Sequence, residues 1–102
     1  MIERELSAEL RRCAAMLPAV TLLGPRQSGK TTLAKAVFPD HAYANLENPE
    51  TLRRSREDPR GFFEVFPPPL VIDEVHGNPE LLSRIQTMAD ADETPGRFVL
   101  TG

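Results

Sequence analysis

Residues 19–32 read Ala19-Val20-Thr21-Leu22-Leu23-Gly24-Pro25-Arg26-Gln27-Ser28-Gly29-Lys30-Thr31-Thr32, and the fold turns on this stretch. Its first five residues, apolar or β-branched, predict a short buried strand. From Gly24 to Thr31 it matches G-x-x-x-x-G-K-[ST] in every specified place. A triphosphate needs several backbone N–H groups converging on its oxygens, so such a loop must curl tightly. Gly24 and Gly29 permit the curl and a close approach of backbone to phosphate, with Pro25, Arg26, Gln27 and Ser28 between them. A helix is expected to open near Gly29-Lys30 and run to about Phe38, adding its positive N-terminal end to the cradle. Lys30 offers a mobile positive charge to the β- and γ-phosphates, the Thr31 hydroxyl suits Mg²⁺, and the cradle runs on to Thr32. A pattern this specific arises by accident in a chain of 102 residues on the order of a few times per thousand.

A second segment complements the first. Leu70-Val71-Ile72-Asp73-Glu74 is an apolar strand ending in acid, placing a carboxylate at the carboxyl edge of a sheet. Asp73 is the candidate Mg²⁺ ligand, directly or through water. Glu74 follows, and because side chains alternate at a strand end it is expected to point elsewhere, placed to orient and activate a water attacking the γ-phosphate. Phe98-Val99-Leu100 forms a further strand ending in Thr101. If that strand lies between the two motif strands, the Thr101 hydroxyl reaches the γ-phosphate; strand propensity alone explains the residue equally well.

Outward from these motifs the chain alternates strand and helix. Ile2, Leu6, Leu10, Cys13, Ala14 and Leu17 mark one face of a leading helix that Pro18 stops. Tyr43 to Leu46 is read as another strand. Asn48-Pro49, Asp58-Pro59 and Asn78-Pro79 each set a capping side chain before a proline, predicting helices from Pro49, Pro59 and Pro79. Leu81, Leu82, Ile85 and Met88 form the apolar stripe of the last. Strands apolar on both faces imply a parallel sheet covered by helices, an α/β architecture. The halt at Thr101-Gly102 reads as a truncation after the fourth strand.

Composition narrows the function classes. Twelve Lys+Arg against 15 Asp+Glu give a net charge of -3, which disfavours a general grip on nucleic acid. No apolar run approaches the ~18 residues a membrane helix needs. The charged N-terminus lacks the apolar segment of a secretory signal, and one cysteine excludes a disulfide framework or a multi-cysteine zinc site, so a cytoplasmic protein is expected. Cys13 is read as a small core residue. Arg53, Arg54, Arg56 and Arg60 interleave with Glu50, Glu57 and Asp58 as an ion-paired solvated face. Phe62, Phe63 and Phe66 are expected to pack a short helix onto the sheet, and His41 and His76 are read as loop residues.

Four segments together carry a resemblance: LLGPRQSGKTTLA (22–34), NLENPE (45–50), LVIDEVHGNPELL (70–82) and PGRFVLTG (95–102). The chain resembles the prokaryotic AAA-type P-loop ATPases often named simply ATP-binding proteins, many of which carry a C-terminal domain of unknown function. The resemblance implies a P-loop NTPase three-layer sandwich with an additional strand inserted between the two motif strands. Its order would run Tyr43–Leu46, Leu70–Asp73, Phe98–Thr101, Ala19–Leu23. It implies ATP at residues 24–32, Mg²⁺ at Thr31 and Asp73, catalysis by Lys30 and Glu74, and a sensor at Thr101. His76 stands where a glutamine is expected and receives no role.

Residues 1–102 are accordingly read as the N-terminal part of one ATPase domain, with 1–17 a leading helix and 19–102 the P-loop core. The complete protein is expected to hydrolyse ATP to ADP and phosphate, while these residues alone bind with little or no turnover. A fifth strand, an arginine finger and a helical lid are expected elsewhere. A homo-oligomer or protein partner stays open, a membrane is not expected, and nucleic acid has no support in these residues. The rival readings are a small-molecule kinase-type phosphotransferase and a non-hydrolytic nucleotide-dependent switch or scaffold.

Overall fold

The computed structural model describes residues 2–22 and 29–102. Within them the order is α1 (Ile2–Ala14), β1 (Ala19–Leu22), α2 (Lys30–Val37), β2 (Ala42–Asn45), α3 (Pro49–Glu57), α4 (Pro59–Val65), β3 (Leu70–Asp73), a 3₁₀ turn (Val75–Gly77), α5 (Pro79–Ala91) and β4 (Phe98–Thr101). The strands form one all-parallel sheet in the order β1-β4-β3-β2. This is the order that the resemblance implied, and it sets β4 between the two motif strands. The second strand spans Ala42–Asn45 rather than Tyr43–Leu46, although the Leu46 amide still reaches the Asp73 carbonyl at 3.0 Å.

Both faces of the sheet are covered. Leu70, Ile72, Phe98 and Leu100 turn to one side, where Phe62 of α4 and Leu81 and Ile85 of α5 complete the larger core. The intervening Val71 and Val99 turn to the other, meeting Leu10 of α1 and Ala34 of α2. This two-residue alternation explains why β3 and β4 are apolar at successive positions before their polar ends, Asp73 and Thr101. Phe62 is fully buried, and Phe63 stacks edge-on against Phe98 at 6.1 Å, so the phenylalanines pack α4 onto the sheet as expected. In α5 the buried stripe is Leu81, Ile85 and Ala89, with Met88 beside it, while Leu82 is exposed.

All three Asn/Asp-Pro pairs open helices, but only two cap them. The Asn48 side chain accepts from the Glu50 and Thr51 amides, and Asp58 accepts from Gly61. Asn78 makes no such cap: its buried amide donates to Ser55 Oγ of α3 at 3.1 Å, tying α5 to α3. A close approach fixes Gly61, since a Cβ there would lie 2.1 Å from the capping Asp58 carboxylate.

Parallel register aligns the carboxyl ends of the strands. Leu22 pairs with Thr101, and Asn45 with Asp73. That edge carries the candidate site.

Candidate nucleotide site at the carboxyl edge of the sheet

Gly29 precedes α2 in the left-handed region, φ 79° and ψ 18°. Among the described residues a Cβ there would meet nothing within 4 Å, and the positive φ itself is what favours glycine. Gly24, Pro25, Arg26, Gln27 and Ser28 lie outside the described residues. Helix α2 then presents Lys30, Thr31 and Thr32 in its first turn. Lys30 is buried, 6% exposed, and its ammonium donates to the Gly102 carbonyl just past β4. Thr32 lies on the exposed side of the helix, away from the polar cluster.

Asp73 is the centre of that cluster. Thr31 Oγ1 donates to its Oδ2 at 2.5 Å, and Tyr43 Oη donates to the same oxygen at 2.7 Å. Thr101 Oγ1, fully buried, donates to Oδ1. Three hydroxyls from α2, β2 and β4 therefore converge on one carboxylate from β3. Burial by itself would raise the Asp73 pKa, but hydrogen bonds from Thr101, Thr31, Tyr43 and the Glu74 backbone outweigh it and hold the carboxyl below its ordinary value. Tyr43 shifts the opposite way: burial first, then the hydrogen bond and charge of Asp73, push its hydroxyl above the usual range. Lys35 lies over the Tyr43 ring, 4.0 Å from its centroid.

Glu74 sits one residue beyond β3 with φ 56° and ψ 46°. It diverges from Asp73 through this left-handed turn, so strand alternation does not extend to it. Its carboxylate contacts His76 Nε2. The Glu74 side chain is 13% exposed and that of His76 67%.

The structure thus brings Lys30, Thr31, Asp73, Glu74 and Thr101 to one edge, and adds two residues that sequence reasoning left without a role, Tyr43 and His76. Among the described residues no group of three His, Cys, Asp or Glu side chains could hold a metal by itself. Mg²⁺ asks for less, because it takes hard oxygen donors and completes its shell with water and phosphate. An ionised carboxylate with a threonine hydroxyl against it fits that requirement.

Residues 17–102 match the family model described as AAA domain, and the chain belongs to this family of ATPase-like, nucleotide-binding domains. It is also 34% identical over 102 residues to the uncharacterized proteins Mb2031c of Mycobacterium bovis and Rv2008c of Mycobacterium tuberculosis. Those matches cover 97% of this chain and 23% of each relative, so the chain spans under a quarter of their length. No solved structure matches it. No helix among the described residues is long and apolar enough to cross a membrane.

Proposed function

We propose that this domain binds Mg·ATP and that the complete, cytoplasmic protein hydrolyses it. The observation that carries the reading is the hydrogen bond between Thr31 of the G-x-x-x-x-G-K-[ST] segment and Asp73 at the end of β3. Two motifs far apart in sequence meet there as a pair of oxygen donors suited to one hard cation. In this reading the backbone of residues 24–32 cradles the phosphates, and Lys30 turns from the Gly102 carbonyl to the β- and γ-oxygens. Thr31 and Asp73 hold Mg²⁺, which when bound neutralises charge developing on the phosphates. Thr101 steadies Asp73 from beneath and reports on the γ-phosphate side. Glu74 orients a water and takes its proton as the water attacks the γ-phosphorus. A carboxylate there serves water or an alcohol as acceptor, and a screen for phosphate transfer to nucleosides separates hydrolysis from transfer to a small molecule.

Calorimetric titration of Mg·ATP into the protein, beside Lys30→Ala and with circular dichroism as the folding check, tests this. Saturating heat in the wild type that vanishes in the folded variant is the expected result. A folded wild type that gives no heat would sink the reading.

A further inference from the structure

We infer that Tyr43 is a positioning residue for the divalent cation, its hydroxyl holding the Asp73 carboxylate in the orientation that receives the metal. The inference rests on the Mg·ATP reading above and deepens it. Asp73 Oδ2 takes two donors, Thr31 Oγ1 at 2.5 Å and Tyr43 Oη at 2.7 Å, while Oδ1 takes Thr101. A carboxylate oxygen has about two lone-pair directions, so Oδ2 is saturated as it stands. A hydroxyl has one proton and two lone pairs, so Thr31 turns a lone pair to the cation while its proton stays on Oδ2. Asp73 then meets the cation through water or through the direction left on its carboxylate, so the orientation of that carboxylate decides the fit.

Tyr43 is the donor on Oδ2 that the cation does not draw on. Without it the carboxylate would lose one of its hydroxyl tethers and be held less firmly against rotation about its Cβ–Cγ bond. Tyrosine suits the task because two side-chain torsions fix its hydroxyl. Its base lies on β2, two residues before Asn45, the register partner of Asp73, and Lys35 of α2 lies over its ring. The hydroxyl therefore reaches along the sheet from a different strand and is held on a second side by the helix that carries Thr31. Partners standing behind metal ligands in this way typically contribute 10–100-fold to metal affinity.

The test compares wild type with Tyr43→Phe in the purified protein, using a fluorescent ATP analogue with excess chelator and then with rising Mg²⁺, and Mn²⁺ binding followed by electron paramagnetic resonance. The expected result is a variant that still folds, with a lower thermal midpoint from the missing hydrogen bond, unchanged metal-free nucleotide affinity, and Mg²⁺ and Mn²⁺ affinity about tenfold weaker. Equal metal affinity in the two proteins overturns the role of Tyr43 alone. A folded wild type whose nucleotide affinity ignores metal overturns this inference together with the Mg·ATP reading. Should Tyr43→Phe not fold, Lys35→Met decides: it frees the ring and should weaken metal affinity by about twofold to fivefold, and no weakening would count against the inference.

Discussion

Asp73 and Glu74 are neighbours in sequence with opposite surroundings. Asp73 ends a strand inside the sheet, 5% exposed, with hydroxyls from three other elements on its oxygens. Glu74 stands in a left-handed turn, its carboxylate against the exposed His76 of the 3₁₀ turn that follows. The first acid is fixed by the fold. Among the described residues, the second is aimed by its local backbone and by His76. In the proposed reading Asp73 gains from being held before the metal arrives, and Glu74 depends on its contact with His76 to be aimed at the water. The contrast can be broken by substitution, and each variant below separates what the two acids do for chemistry from what they do for folding.

The largest effect is expected on turnover. Glu74→Gln keeps the size and backbone of the residue but cannot accept a proton. In the complete protein it should lower hydrolysis by about 10²–10⁴-fold while leaving Mg·ATP affinity in place. Phosphate release measured beside nucleotide affinity checks this, and undiminished release would remove Glu74 from the chemistry.

Next in size is the structural role of Asp73. Asp73→Ala takes the acceptor from three hydroxyls, one of them fully buried on Thr101. Each buried donor left unpaired costs about 1–3 kcal/mol, so a loss of about 2–4 kcal/mol is expected where water reaches some of them. Chemical denaturation would show it as a lower midpoint. Glu74 should do the reverse. A left-handed conformation costs a non-glycine residue about 1–2 kcal/mol, and glycine returns part of that gain as unfolded-chain entropy. Glu74→Gly is therefore expected to stabilise the fold by about 0.5–1 kcal/mol while losing hydrolysis. Destabilisation instead would mean that the Glu74 side chain contributes to folding as Asp73 does.

The same contrast explains what could be read from sequence. The order of elements, the three helix starts at Pro49, Pro59 and Pro79 and the strand runs were legible because each rests on local chemistry. That Thr31 and Asp73 would meet was legible because their motifs have fixed spacing, and the place of β4 between the motif strands came through resemblance. Other features depend on relations across the sheet or on one backbone angle. Tyr43 reaches Asp73 because parallel register sets Asn45 opposite it, which no spacing within β2 reveals. Asn78 looked like a cap beside Pro79, yet burial against Ser55 gave its amide a different partner. The His76 contact follows from the turn at Glu74, and strand alternation gave no hint of it.

His76 carries the smallest and most diagnostic expectation. Its side chain is 67% exposed, and solvent screens a pair formed there, so His76→Ala should change stability by no more than about 0.5 kcal/mol. The same contact nevertheless holds the Glu74 carboxylate, and among the described residues it is the one hydrogen-bond partner of that side chain. A base loses efficiency when the group orienting it is removed. Turnover by the complete protein should therefore fall while the unfolding midpoint and Mg·ATP affinity stay put. His76→Gln, which keeps a donor in reach of Glu74, should recover part of the loss. If neither variant changes turnover, the left-handed backbone alone aims Glu74; if His76→Ala also lowers the midpoint, the two acids are less unlike than their surroundings indicate.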